Sequence, residues 1–225
     1  MSQSIEVYLL SIQGKLSPKS LEAARKIHNE TAGAPANVAA ARELSDLSHM
    51  VYVPLGHNGQ DAGDFLILDQ WNNLEGLNNF FGNVHVQEQA GLIFSARDPV
   101  VWQPAADFNR YHFPSPYGKN QRFVGIVRGT VASRQAAQKI HNDLTAKMVK
   151  KARIAGNISH EPYFRLGQPG QPETTEFFAV DVWNDEASMN AHYNDADFMS
   201  GFSTLFTARP HSSIWVHPAG DWVEW

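Results

Sequence analysis

Four histidines at matching positions of the two halves are the residues of this sequence best suited to catalysis. His28 and His141 both follow the letters Lys-Ile, and His49 and His160 both follow a serine. An imidazole titrates near neutral pH, so it can act as a general base or orient a phenolate. We therefore predict that each half carries two candidate catalytic histidines.

Structural roles stay open for the same residues. His28 and His141 lie near the end of a predicted helix, where a ring nitrogen can satisfy a backbone carbonyl. For His49 and His160, a catalytic role and a structural role both stay open. The ten histidines of the chain also keep a metal site conceivable, with His28 and His49 or their copies as ligands. No histidine spacing is diagnostic of such a site, so we predict no metal.

Aromatic residues at matching positions of the two halves could form the walls of a cavity for a flat molecule. Trp71 and Trp183 end two matching strands, and Phe81 and Tyr193 lie on the helices that follow. Aromatic walls stack on aromatic ligands. We predict these four as ligand-binding residues.

Two arginines and two aspartates complete the set of polar candidates. Arg97 and Arg209 could steady a developing oxyanion, which makes them candidate ligand-binding residues. The alternatives are that they pair with an acid such as Asp69 or Asp181, or stay solvated. Asp69 and Asp181 lie inside apolar strands, where a carboxylate needs a partner, so we interpret them as structural hydrogen-bond acceptors.

These candidates belong to segments that the chain contains twice. Asp64–Trp71 and Glu176–Trp183 each start with an acid, continue as an apolar run typical of a buried strand, and end in Asp, one residue and Trp. The two copies are about half the chain length apart. Further matched pairs are 24–29 with 137–142, 47–49 with 158–160, 92–97 with 204–209, Trp102 with Trp215, and Asp107 with Asp221. The sequence therefore indicates an internal duplication.

Composition excludes several classes of function. The net charge is −5 over 225 residues and no cluster of Lys and Arg stands out, so nucleic acid is not expected as a partner. The absence of cysteine excludes disulfides, thiolate nucleophiles and Cys-ligated metals. The sequence shows no signal-peptide pattern and no apolar run long enough to span a membrane. We expect a cytoplasmic protein without a membrane partner.

Each half shows the same order of strand, helix, strand, strand, helix and strand. The predicted strands are 5–12, 48–55, 64–71 and 100–102 in the first half and 123–127, 159–166, 177–183 and 214–216 in the second. Ser17 and Ser133 are the predicted caps of the first helix of each half. We predict a first module at 1–106, a linker at 107–119 and a second module at 120–225.

This order is the ferredoxin-like βαββαβ pattern of the α+β class. Both helices cover one face of the antiparallel sheet in such a module, so the other face needs a cover. The second copy can provide that cover. We predict tandem modules packed sheet to sheet as an internal pseudo-dimeric α+β barrel, for which further homodimerisation is optional.

The segment from Val180 to Tyr193, with its Asp-Glu-Ala helix start and its Ala-His pair, resembles the central signature of the antibiotic biosynthesis monooxygenase family. That family belongs to the dimeric α+β barrels. The resemblance implies oxygenation of electron-rich polycyclic phenols or quinols without metal or flavin cofactor, and some relatives degrade haem. It also singles out His192 as a candidate catalytic residue. Phe80 stands at the matching place in the first half, so the resemblance gives this role to the second half alone.

Two functions from different classes follow. The first is a cofactor-independent, monooxygenase-like oxidoreductase that acts on a small aromatic or quinol-type molecule. The second is a non-catalytic barrel that binds a small hydrophobic molecule or serves as a stress-related or interaction module. Motifs of hydrolases, nucleotide enzymes and zinc peptidases are absent. Because His192 and Tyr193 replace Phe80 and Phe81, we predict that the second half holds the better ligand site.

Overall fold

The computed structural model describes residues 6–56, 63–111 and 122–225. It divides into two compact units, unit 1 with residues 1–101 and 217–225, and unit 2 with residues 102–216. Eight strands and seven helices lie within the described ranges. Residues 57–62 of the predicted hairpin loop and 112–119 of the predicted linker lie outside them.

The sheet of unit 1 has the strand order expected of a ferredoxin-like module. Strands β1 and β2 both pair antiparallel with β3, and β4 follows β1 at the other side, which gives the order β4-β1-β3-β2. Its elements are β1 (Tyr8–Leu16), α1 (Leu21–Glu30), α2 (Pro35–Glu43), β2 (Asp46–Pro54), β3 (Asp64–Trp71), α3 (Leu74–Phe81), α4 (Val84–Ile93) and β4 (Phe94–Pro104).

Unit 2 repeats this order as β8-β5-β7-β6, again with antiparallel pairs. The last residues of β4, 102–104, belong to this unit and pair with β6. Its other elements are β5 (Phe123–Thr130), α5 (Arg134–Ile154), β6 (Asn157–Arg165), β7 (Glu176–Trp183), α6 (Glu186–Tyr193), α7 (Ala196–Ser203) and β8 (His211–Val216).

The predicted end of the first strand and start of the first helix are wrong by several residues. Gly14 does not close β1, because it pairs with Phe65 of β3 and the strand continues to Leu16. A side chain at Gly14 would collide with the carbonyl of Ala96, so glycine permits a close strand approach here instead of a turn. The helix cap is Ser20, not Ser17, and its hydroxyl accepts from the Ala23 amide.

Two helices, and not one, connect the third and fourth strands of each unit. Helix α3 ends at Phe81 and Asn83 caps α4, while α6 ends at Tyr193 and Asp195 caps α7. The side chains of Asn83 and Asp195 accept from backbone amides two residues later, which favours a new helix start over continuation.

Packing agrees with the α+β fold class that the sequence predicts. Trp71, Trp102, Trp183 and Trp215 are all buried, as a sheet covered by helices requires. The fold class and the ferredoxin-like order in both units are confirmed. Sheet-to-sheet packing of the two modules stays a prediction. None of the helices in the described ranges is long and apolar enough to cross a membrane.

Candidate functional site

A continuous hydrogen-bonded chain of two histidines and one aspartate crosses the interior of unit 2. His160 on β6 contacts Asp181 on β7, with 2.5 Å between Nδ1 and Oδ1. Its other nitrogen, Nε2, lies 2.7 Å from Nε2 of His141 on α5. The pairing of β6 with β7 sets this contact, because His160 stands directly opposite Asp181 in the register. The structure thus brings together the two candidate histidines of the second half.

Unit 1 contains the same chain on matching elements. His49 Nδ1 lies 2.7 Å from Oδ1 of Asp69, its partner across the β2–β3 ladder. His49 Nε2 lies 2.8 Å from Nε2 of His28 on α1. The interpretation of Asp69 as a hydrogen-bond acceptor fits this contact. The prediction that the helix histidines bond to a backbone carbonyl is wrong, since both ring nitrogens of His28 and both of His141 contact side chains.

An asparagine side chain closes each chain at its helix end. His28 Nδ1 lies 3.0 Å from Oδ1 of Asn29, and that amide also binds the backbone of Asp221 and Val223. In unit 2, Asn142 takes the same place beside His141 and binds the backbone of Asp107 and Asn109.

Residues after β4 and after β8 therefore complete the two chains of side chains. Backbone hydrogen bonds join Tyr111 to His160 and Trp225 to His49 in both directions. The pairing of residues 102–104 with β6 and the Tyr111 contacts join residues 102–111 to unit 2, and the Trp225 contacts join the last residues to unit 1. The modules 1–106 and 120–225 and the linker between them stay a prediction.

Burial and charge give the two histidines of unit 2 opposite protonation behaviour. Burial, together with the charge of His160, lowers the pKa of His141 to about 3. Burial also lowers the pKa of His160, but the charge and hydrogen bond of Asp181 outweigh it, so the pKa is raised overall. Burial raises the pKa of Asp181, yet the His160 contacts and the hydroxyl of Tyr193 bring it below its usual range.

A cavity of about 70 Å³ lies beside this chain in unit 2. His141, His160 and Asp181 line one side of it. Its other lining residues are mainly apolar and include Trp183, His192, Phe198 and Phe202. A cavity that is mostly apolar with a few converging polar groups is the usual form of a small-molecule site.

His192 is the one histidine of this cavity outside the hydrogen-bonded chain. Its ring packs against Trp183 and Phe198, with centroid distances of 5.1 and 4.6 Å. Burial lowers its pKa, so the ring is neutral at pH 7. Its Nδ1 is buried and has no hydrogen-bond partner within the described ranges. A buried ring nitrogen without a partner, on a residue that lines a cavity, is suited to bind a polar group of a ligand that displaces its neighbours.

Tyr193 extends the chain of unit 2 beyond Asp181. Its hydroxyl donates to Oδ2 of Asp181 at 3.0 Å and accepts from the Trp183 indole at 3.3 Å. Gly125 faces Asp181 across β5 and β7, and any side chain at Gly125 would collide with the Tyr193 hydroxyl. In unit 1, Leu10 pairs with Asp69 in the matching position. The glycine in β5 is thus what admits Tyr193.

Replacing Gly125 by Ala should lower the free energy of unfolding by about 1–3 kcal/mol, the usual cost of overpacking. The added methyl group would displace Tyr193 from Asp181. Gly91→Ala provides a control, because Gly91 has open space around it in helix α4 and alanine there should stabilise by about 0.5–1 kcal/mol. Denaturant unfolding measures both changes, and equal stabilities of the two variants would contradict the role given to Gly125.

The cavity of unit 1, about 80 Å³, has a different lining. Phe80 and Phe81 stand in place of the histidine and tyrosine. Without a tyrosine hydroxyl nearby, the buried indole nitrogen of Trp71 has no hydrogen-bond partner among the described residues. Trp225 lines this cavity and stacks on His49 with centroids 4.5 Å apart. Asp46 also lines it and accepts from the Trp225 indole at 3.1 Å.

The predicted arginines lie away from these residues. Arg97 donates to Gln87 at 2.5 Å instead of pairing with Asp69, and it does not line the cavity of unit 1. Arg209 is exposed and does not line the cavity of unit 2. Asp69 and Asp181 pair with histidines, which leaves no role for an arginine partner.

The paired histidines contact each other directly. Two nitrogens bound to one zinc ion lie roughly 3.3 Å apart at tetrahedral geometry, farther than the observed His28–His49 and His141–His160 contacts. Within the described ranges, no group of three or more His, Asp or Glu side chains is arranged to hold a metal ion.

Sequence reasoning missed the asparagines and the two residues that pair with the strand histidines. Asn29 and Asn142 are part of the repeated letters Lys-Ile-His-Asn, so their recurrence was a usable signal. The recurrence of Asp107 and Asp221 was another, since their carbonyls bind these amides. The sequence alone does not connect Asp107 and Asp221 to the histidines, because that link forms only in the folded protein.

Comparisons with known proteins place the fold. No family model matches the sequence, and no curated protein matches it. An anthrone oxidase-like protein of known structure has a TM-score of 0.63 and 12% identity, covering 96% of this chain and 93% of that chain. A candidate monooxygenase from Fusobacterium nucleatum subsp. nucleatum has a TM-score of 0.61 and 10% identity, covering 97% of both chains.

A mutant chlorite dismutase from Candidatus Nitrospira defluvii is also similar, with a TM-score of 0.54, 9% identity, and coverage of 97% of this chain and 93% of that chain. At such low identities the likeness shows the fold alone. Over almost its whole length, this chain has the α+β fold, with two ferredoxin-like units, that these structures share.

Proposed function

We propose that unit 2 is a monooxygenase-type site that oxidises a small phenol or quinol with dioxygen. The observation that carries this proposal is the buried, unpartnered Nδ1 of His192 beside an aromatic cavity. A neutral imidazole can accept the proton of a phenolic hydroxyl. The other two histidines of the cavity have both ring nitrogens engaged by protein partners, so His192 is the free base.

The proposed chemistry needs one proton acceptor and an electron-rich ring. Transfer of the phenolic proton to Nδ1 of His192 leaves an anion, which gives its electrons to dioxygen. For a polycyclic phenol in which a non-aromatic ring contains a carbon with two hydrogens, one oxygen atom becomes the carbonyl oxygen at that carbon. The second oxygen atom leaves as water with the two hydrogens, and the proton on His192 returns to the ring hydroxyl. Substrate and dioxygen together supply every atom and electron of this reaction.

Similarity to an anthrone oxidase-like protein and to a candidate monooxygenase supports this class of reaction. The aromatic lining of the cavity supports a flat ligand, because Trp183 and Phe198 can stack on a ring. The open volume is small, so a ring enters only if Phe198 and Phe202 move. Both lie on α7, a helix in which no residue is fully buried, so both rings are partly exposed to solvent.

Binding without turnover is the second candidate, and unit 1 favours it. In its cavity Phe80 stands at the place of His192 in unit 2, and Phe81 stands at the place of Tyr193. Phe80 and Phe81 can pack on a hydrophobic molecule but cannot accept the proton of a phenol.

Oxygen uptake with a panel of phenols and quinols tests the proposal. We expect at least one compound to give oxygen consumption above the protein-free rate, and an oxygenated product that appears only under air. Native mass spectrometry of the purified protein identifies a retained ligand in parallel. Tight binding of the panel with no oxygen consumption would reject the enzyme and favour the binding module.

A further inference from the structure

The hydrogen atoms of the His141–His160 pair can be assigned from the orientation of Asn142. Oδ1 of Asn142 accepts from the Asn109 amide at 2.7 Å, and Nδ2 donates to the Asp107 carbonyl at 2.9 Å. Because backbone groups have fixed donor and acceptor roles, the amide cannot be turned over. Oδ1 is then also the atom that faces Nδ1 of His141 at 3.1 Å. An oxygen only accepts, so Nδ1 of His141 carries a hydrogen.

The remaining contacts fix the other hydrogens of the chain. One hydrogen lies between the Nε2 atoms of His141 and His160, because two nitrogens form a hydrogen bond only if one of them carries a hydrogen. Another lies between Nδ1 of His160 and Oδ1 of Asp181. The chain therefore holds three hydrogens, whereas two neutral imidazoles and a carboxylate hold only two. One extra proton is stored here.

The surroundings determine which group carries this proton. His141 is excluded, because burial and the charge of His160 lower its pKa to about 3. The Tyr193 hydroxyl donates to Oδ2 of Asp181, which favours the carboxylate. The raised pKa of His160 and the lowered pKa of Asp181 agree with a proton on the imidazole. The titratable groups that face His160 are Asp181 on β7, His141 on α5, His192 and Tyr193 on α6, Tyr111 after β4, and its neighbour Glu161 on β6.

We infer that Asn142 is a positioning residue that fixes the hydrogen on His141 and thereby holds His160 as an imidazolium paired with Asp181. The same hydrogen count applies to unit 1, where Val223 and Asp221 orient Asn29 beside His28. Residues 105–111 and 217–225, which each follow a fourth strand, thus set the charge state of a buried site.

A consequence for catalysis rests on the proposed function. An imidazolium that lines the cavity favours a phenolate over a phenol at neutral pH. Loss of the imidazolium should therefore move the rise of turnover to higher pH. The charge assignment itself concerns the protein without ligand, so it can fail or hold independently of any turnover.

Nitrogen-15 NMR of histidine-labelled protein at neutral pH tests the assignment. We expect His160 to show two protonated ring nitrogens and His141 to show one, at Nδ1. In Asn142→Leu the acceptor for that hydrogen is lost, so His141 can donate from Nε2 and His160 should lose one of its two protons. Asn142→Asp keeps the acceptor oxygen and should retain the imidazolium.

Asn29→Leu is the matched control, since it makes the same change in unit 1 and should leave the His160 and His141 signals unaltered. Asn142→Ala replaces the leucine variant should that variant not fold. A single protonated nitrogen on His160 of the unaltered protein would overturn the inference. An imidazolium that persists in the Leu and Ala variants would remove the positioning role of Asn142.

Discussion

Replacing Asp46 by Asn should flatten the decline of stability with rising pH. Burial, followed by the charge of Asp69, raises the pKa of Asp46 to about 9. The folded protein keeps a proton on this carboxyl that the unfolded chain releases above about pH 4. The stability from this group is fully present below about pH 4 and is lost as the pH rises to about 9. Across that interval the loss is about 1.4 kcal/mol per pH unit.

Denaturant unfolding at several values between about pH 7 and about pH 8.5 measures this slope. His28 and His141 have pKa values of about 3 in the folded protein and do not titrate there, whereas in the unfolded chain, with a pKa of about 6.5, they lose their remaining protonation near pH 7. His160, whose pKa is raised, loses stability in the same direction, so each comparison is between variants at one pH.

The second unit supplies the matched control for this substitution. Asn157 starts β6 opposite Trp183, as Asp46 starts β2 opposite Trp71. An amide is therefore accommodated at this position of the fold, and Asn157→Asp should acquire the slope that Asp46→Asn loses. Identical slopes for the unaltered protein and Asp46→Asn would show that Asp46 is ionised in the folded state.

The repeated letters predicted the fold well because each local pattern agreed with the global one. The run Asp64–Trp71 has an apolar centre, residues 65–68, and lies in the middle of its sheet, between β1 and β2, where residues 65–71 are buried. Local signals misled only where tertiary contacts overruled them. Gly14, a strand breaker in isolation, is kept in β1 by its pairing with Phe65.

Part of the candidate site was also accessible from the sequence. Duplication placed His28 with His141 and His49 with His160, and the structure joins each helix histidine to a strand histidine. The partners that decide their protonation were not accessible. The sequence indicated that Asp181 accepts a hydrogen bond but did not identify His160 as the donor, and Asn142 was missed. Strand register and the path of the loop determine those contacts.

The two units keep the same buried chain but differ around it in a correlated way. Gly125 and Tyr193 occur together in unit 2, whereas Leu10 and Phe81 occur together in unit 1. The smaller strand residue is what gives the tyrosine hydroxyl room to reach Asp181. His192 thus adds to the cavity of unit 2 a polar side chain that Phe80 does not supply in unit 1, and a ligand that bonds to this imidazole should bind in unit 2.

Replacing His192 by Phe should lower turnover by about 10²- to 10⁴-fold, the usual contribution of a positioned general base. Phenylalanine keeps the ring that packs against Trp183 and Phe198 but removes the nitrogen that accepts the phenolic proton. Folding should not suffer, because the lost Nδ1 makes no hydrogen bond within the described ranges and leaves no partner unsatisfied. Steady-state oxygen uptake and thermal unfolding, measured on the same preparation, separate the two effects.

Phe80→Ala in unit 1 is the matched comparison for that variant. It truncates the residue at the corresponding helix position, which packs on Trp71 with ring centroids 5.4 Å apart. We expect Phe80→Ala to reduce stability by less than the roughly 3–5 kcal/mol of a fully buried Phe→Ala change, because Phe80 is half-buried. Turnover per folded molecule should stay the same. If His192→Phe retains full turnover while Phe80→Ala abolishes it in folded protein, the active cavity is that of unit 1. If neither variant changes turnover, the proton acceptor is a group other than His192, and the Asp181 carboxylate beside Tyr193 becomes the next residue to replace.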